Sequence, residues 1–147
     1  MKKLNRRVGL VAALSLAVAL FVAPAKAQEL SLTPKADTFY ELRSYTPNPG
    51  KLEDLSKRFR DHTLRIFARH GMKSVAYWVE DNGADSRIVY VLAYKDRAAR
   101  EASWTAFRAD PEWQKVAAAS EANGKLVAKG ESVFMKMADY SPALTSK

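Results

Sequence analysis

An α+β fold of the βαββαβ type, a four-stranded antiparallel sheet with helices on one face, is predicted for this chain by three observations. Four segments carry the two-residue alternation or short apolar run of a strand. Two others repeat apolar residues at three- and four-residue steps, as helices do. Gly, Pro and Asn separate them in the order strand, helix, strand, strand, broken helix, strand, which is the ferredoxin-like order.

The first strand spans Phe39 to Tyr45, with Tyr40, Leu42 and Ser44 on one side and Phe39, Glu41, Arg43 and Tyr45 on the other. Asn48, Pro49 and Gly50 break it, and a helix begins near Lys51. Leu52, Leu55, Phe59, His62, Ile66 and His70 fall in one stripe of that helix, and Gly71 supplies its C-cap. A second strand over Ser74 to Glu80, a turn at Asn82 and Gly83, and a third strand over Arg87 to Tyr94 form a hairpin. Helical spacing returns from Arg97 to Ala109, with Trp104 and Phe107 read as core. Asp110, Pro111 and Glu112 then give an N-cap, a first-position proline and an acidic first turn, so a second helical segment starts there, anchored by Trp113. It stops at Asn123 and Gly124, and a last strand is expected over about Glu131 to Met137.

The third strand sets the expectation for assembly. From Ile88 to Tyr94 it is apolar on both sides, whereas a strand with one wet face alternates. Helices cover one face of the sheet, and no further segment of the chain is expected to cover the other. A second copy, packed sheet to sheet, is therefore the expected cover, giving a homodimer.

Ahead of the domain, Lys2, Lys3, Arg6 and Arg7 precede an apolar run from Val8 to Val22, and Ala25, Lys26 and Ala27 follow in a small-x-small cleavage pattern. This predicts a signal peptide over 1–27 removed after Ala27, with the Sec route as default and a periplasmic or secreted product. The apolar run is too short for a stable bilayer-spanning helix, so the mature form is not expected to span a membrane. A polar tether over 28–37, one domain over 38–142 and a tail over 143–147 complete the expected organisation. Five of the 24 basic residues and none of the 16 acidic ones lie in the signal, so the mature chain carries a net charge of only about +3. Both signs are interspersed along its helices, which argues against nucleic acid as a partner. The chain has no cysteine, which excludes disulfides, thiolate catalysis and cysteine-based zinc sites.

The strings Tyr40 to Tyr45 (YELRSY), Pro49 to Lys51, Gly71 and Met72, Val75 to Trp78 (VAYW) and Tyr90 to Tyr94 (YVLAY) resemble the NIPSNAP family. Trp104, Phe107 and Arg108, Asp110 to Trp113 (DPEW) and Asp139 to Pro142 (DYSP) extend the resemblance over about residues 38–142. It implies a dimeric α+β barrel and little chemistry, since the family has no agreed reaction. Related barrels include cofactor-free monooxygenases and haem-degrading enzymes, and the histidine that the latter place on the second helical region has no counterpart here.

Glu41, Arg43 and Tyr45, with Trp78 and Tyr90, are the candidate pocket. Lining the barrel interior, a charged pair beside aromatics suits a small apolar ligand with one polar group; the plainer reading of the same residues is an ion pair at the dimer seam with aromatic packing around it. His62 and His70 are the only histidines and lie two helical turns apart, roughly 12 Å, too far to share one ion. They read as core or cap residues, or singly as an acid or base. No metal and no cofactor is expected, and no catalytic set is assigned. Gly-rich phosphate loops, nucleophile elbows and His-x-x-x-His pairs are absent from the sequence. The expected function is a homodimeric binding or interaction module. The alternative is a cofactor-free, monooxygenase-like enzyme, which needs only a shaped apolar pocket.

Overall fold

The computed structural model describes residues 38–144. The expected signal peptide and tether, and most of the tail, lie outside the described residues. Strand β1 (Phe39–Pro47) leads into helix α1 (Leu52–Arg58), which continues through a wide π turn (Phe59–Thr63) into α2 (Leu64–Arg69). Strands β2 (Lys73–Val79) and β3 (Ile88–Tyr94) are joined through a short 3-10 turn (Gly83–Asp85). Helices α3 (Arg97–Ala109) and α4 (Pro111–Ser120) precede the last strand, β4 (Val127–Met135). The four strands form one antiparallel sheet in the order β2-β3-β1-β4, the ferredoxin-like topology read from the sequence.

The helix ends follow their sequence signals. Gly71 turns the chain after α2 at φ +75°, where a residue with a Cβ is disfavoured, and the Met72 amide donates back to the Phe67 carbonyl at 3.1 Å. Asp110 caps α4 by accepting from the amides of Glu112 at 2.8 Å and Trp113 at 3.3 Å. Its other oxygen accepts from Arg69 Nη2 and His70 Nε2, each at 2.6 Å, so one carboxylate also ties the end of α2 to the start of α4.

Three expectations need correction. The last strand begins four residues early, because the end of β1 recruits it: Pro47 pairs with Val127, and the Asn48 amide donates to the Leu126 carbonyl at 2.9 Å. The first helix does not keep one apolar stripe. The π turn adds a residue to one turn and shifts the phase, so Thr63 and Phe67 enter the core, while His62 is half-buried outside it. Finally, part of the chain does approach the sheet face opposite the helices. Met137, Tyr140, Pro142 and Leu144 line a depression there with Tyr40, Val75, Trp78 and Val91. The cover is partial: Trp78 is 53% exposed and Val133 55%.

The core lies between the sheet and the helices. Leu55, Phe59, Ile66 and Phe67 meet Ile88, Tyr90, Leu92, Trp104 and Phe107 there. The Phe67 ring packs at 4.8 Å from Phe107 and 5.5 Å from Trp104, edge to face in both cases. Because Asp110 serves both the α4 cap and the α2 contact, Asp110→Ala is expected to lower the melting temperature by about 4–8 °C or more, measured by circular dichroism. Asp110→Asn, which keeps the cap acceptor, is expected to recover part of that loss.

Candidate functional site

The alternation of β1 sends Glu41, Arg43 and Tyr45 toward the helices, and the β1–β3 register puts Tyr90 opposite Arg43 on the same side. Glu41 is fully buried at 0% exposure and accepts five hydrogen bonds. Arg43 Nη1 at 2.8 Å and Arg100 Nη2 at 2.6 Å reach Oε1. Arg100 Nε at 3.0 Å, Trp104 Nε1 at 3.0 Å and the Tyr94 hydroxyl at 3.2 Å reach Oε2. Burial by itself raises this carboxyl's pKa, but the donors Arg100 and Trp104 and the Arg43 charge outweigh it and hold the group down at about 2. Arg43 also donates to Ser132 Oγ at 2.9 Å and the Tyr45 hydroxyl at 3.1 Å, with its guanidinium 4.4 Å from the Trp104 ring centre.

Four of the five candidate pocket residues therefore gather between sheet and helices. Trp78 does not join them. Tyr77, not Trp78, pairs with Tyr90 in the β2–β3 register, beyond a bulge between Ser74 and Ala76, so Tyr77 stacks on Tyr90 at 5.2 Å and Trp78 points to the opposite face. Nor does the Glu41–Arg43 pair lie on that opposite face, where a sheet-to-sheet seam would be. Beside the pair is a cavity of about 410 Å³, walled by Arg43 and Tyr45 from β1, Phe59 and Thr63 from the π turn, Phe67 from α2, Arg58 from α1, Phe107 from α3, and Trp113 and Ala117 from α4. Glu121, Val127 and Gly130 complete the lining. Gly130 faces Tyr45 across β1 and β4, where a Cβ would stand 3.1 Å from the tyrosine ring; its absence lets that ring lie over the strand.

The histidines lie elsewhere. His70 is held by Asp110, and its Nε2 carries the proton it donates there. His62 lines an outer groove between α1 and α4 with Lys57, Asp61 and Lys115. Among the described residues no group of three or more His, Asp or Glu is placed to hold a metal ion. Burial pushes the Tyr90 hydroxyl pKa well up, and burial together with the Glu41 charge does the same for Tyr94, so both are neutral hydroxyls. Reasoning from sequence missed Arg58 and Arg100. Both had a signal: Arg58 follows Leu55 by three on the buried side of α1, and Arg100 precedes Trp104 by four on that of α3.

The Glu41 carboxyl titrates lower folded than unfolded, so its contribution to stability is complete above the ordinary carboxylate range and is lost as pH falls toward about 2. Urea unfolding followed by tryptophan fluorescence between pH 2 and 6 is expected to show that loss. Glu41→Gln, which removes the carboxylate shared by the partly buried Arg43 and Arg100 guanidinium groups, is expected to cost about 3–5 kcal/mol at neutral pH and to flatten the profile in this window.

Comparison with known proteins places this arrangement. The chain is 32% identical over 79 residues to mouse (Mus musculus) NipSnap homolog 3B, a stretch covering 53% of this chain and 31% of that protein. It thus spans about a third of the length of that relative. A NIPSNAP domain protein from Burkholderia xenovorans, solved by crystallography, superposes with a TM-score of 0.61 at 28% identity, covering 71% of this chain and 98% of the other. SnoaB from Streptomyces nogalater, a cofactor-independent oxygenase, shares the fold at a TM-score of 0.51 and 19% identity, over 73% of this chain and 99% of the other. The NIPSNAP family profile matches residues 40–142, and by that match the chain belongs to the NIPSNAP family.

Proposed function

We propose that this protein is an exported, homodimeric binding module that holds a small apolar ligand between its sheet and its helices. The observation that carries the reading is the 410 Å³ cavity, which is large enough for a ligand of one or two rings and is lined by Phe59, Phe67, Phe107 and Trp113. The chemistry around it favours holding over turnover. Glu41 is saturated with donors and held at about 2, which makes it a poor base, and Tyr90 and Tyr94 keep their protons. Export rests on the tripartite N-terminus and its Ala25-Lys26-Ala27 processing site.

The dimer rests on the second sheet face. Leu42, Val89, Val91 and Val133 point there together, and Trp78 and Val133 are more than half exposed. Packing that face against its equivalent in a second copy buries it at the interlayer distance of sheet on sheet. Light scattering of the processed protein at micromolar concentration is expected to give the mass of two copies, and Val133→Glu that of one; a monomeric wild type overturns this part of the reading.

A second reading, a cofactor-free oxygenase, is favoured by the cavity's position between sheet and helices in a fold shared with SnoaB. Two measurements separate the readings. Native mass spectrometry of protein purified from its own host is expected to show a bound small molecule that Ala117→Trp, which fills the cavity, lacks. Consumption of dissolved oxygen with a phenolic substrate and no added cofactor, abolished by Ala117→Trp, would instead establish the oxygenase. Protein that leaves its host empty and binds no apolar probe overturns both.

A further inference from the structure

The cavity wall is unequally charged. Two guanidinium groups stand in it, Arg43 and Arg58, against one carboxylate, Glu121. The Arg58 side chain is only 6% exposed, and its Nη1 donates to Glu121 Oε1 at 3.1 Å and Ser120 Oγ at 3.2 Å. Its Nη2 has no hydrogen-bond partner among the described residues and is not sealed from solvent, while its Nε is both sealed and unpartnered. Arg43 is compensated only in part, because its one carboxylate, Glu41, is shared with Arg100. The other carboxylate on Arg100 is Glu101, more than half exposed, where water screens its charge. The Arg43 Nε is likewise buried without a partner. Burying cations with fewer acceptors than donors is costly, and the cost is removed by an acceptor that enters the cavity.

From this imbalance we infer that the ligand of the cavity is a monocarboxylate with an aromatic or other apolar body, its carboxylate bound by Arg58 Nη2 and attracted by Arg43. This rests on the binding reading above and names the chemical class of its ligand. The excess on the wall is one positive charge, which a monoanion balances. A planar guanidinium matches a planar carboxylate, and such charge-assisted bonds are strong where water is scarce. Both head groups are held by aromatic faces, Arg58 over Trp113 at 5.2 Å and Arg43 over Trp104 at 4.4 Å, so little ordering is left to be done on binding. Arg58 also lines the outer groove, where it stands with Lys51, Lys57 and Lys115 against two carboxylates, Asp54 and Asp61. That places a positive field where an anion would approach.

The test uses 2-naphthylacetate and 2-naphthylacetamide, nearly equal in shape and different in charge, titrated by calorimetry into the protein as its host processes it. Amide chemical-shift changes at Phe59 and Trp113 locate the site. The acid is expected to bind about tenfold more tightly than the amide or better. Arg58→Met is expected to erase that preference. Because Arg58→Met exposes a buried position to misfolding, Glu121→Gln gives an independent arm: freeing Arg58 of its counterion should tighten the acid several-fold and leave the amide unchanged. If acid and amide bind alike at the cavity and Glu121→Gln alters neither, the carboxylate inference falls and the binding reading stands. If neither compound binds, or the shifts fall outside the cavity, both fall together.

Discussion

One buried carboxylate holds this domain's layers in place. Glu41 sits on β1, an inner strand of the sheet, and its five donors come from β1 itself, from β3 and from α3. Dehydrating a carboxylate costs several kcal/mol, and only a full set of donors in good geometry offsets it. The group is therefore intolerant of displacement: a shift of α3 that breaks the Arg100 and Trp104 contacts leaves a charge without compensation. In return it sets the height of α3 over the sheet and the direction of Arg43. Arg43, pulled toward Glu41 and laid on Trp104, becomes part of a wall instead of reaching solvent.

The opposite side of the helix layer is built differently. There α1, the π turn and α4 meet the sheet through rings and short side chains, and a cavity remains between them. The π turn contributes to it directly, since its extra residue turns Phe59 and Thr63 inward at one level of the helix and leaves His62 outside. Arg58, the last residue before that turn, bridges toward the end of α4 through Ser120 and Glu121. The helix layer thus meets the sheet through a buried charge network at one end and around an open cavity at the other. The two sheet faces differ again, one carrying cavity and core, the other a largely aliphatic surface that the end of the chain covers only in part.

The architecture of the domain was legible in the sequence for a local reason, and the family through its strings of matching residues. Strand alternation, the Gly71 cap and the Asp110-Pro111 helix start each depend on residues within a few positions of one another. That Glu41, Arg43 and Tyr45 lie together on one side followed from alternation alone; that this side faces the helices did not. Trp78 was misplaced because its facing depends on the bulge in β2 and the pairing of β2 with β3, which no local pattern records. His62 was misplaced because the π turn breaks the 3.6-residue period on which its assignment rested. The start of β4 was missed because pairing with the end of β1, not alternation, sets it.

By itself the sequence determined the order of elements, the single antiparallel sheet and which residues share a side of the first strand, since each is written in short-range periodicity, capping and turn chemistry, while the family was carried by strings of matching residues. Only the tertiary structure decided that Arg58, Arg100, Trp104 and Tyr94 converge with that strand, and that a cavity stays open beside them. Their hydrogen bonds span 53 to 63 positions of chain, and what brings them together is the docking of helices onto the sheet, a matter of packing that no local pattern encodes.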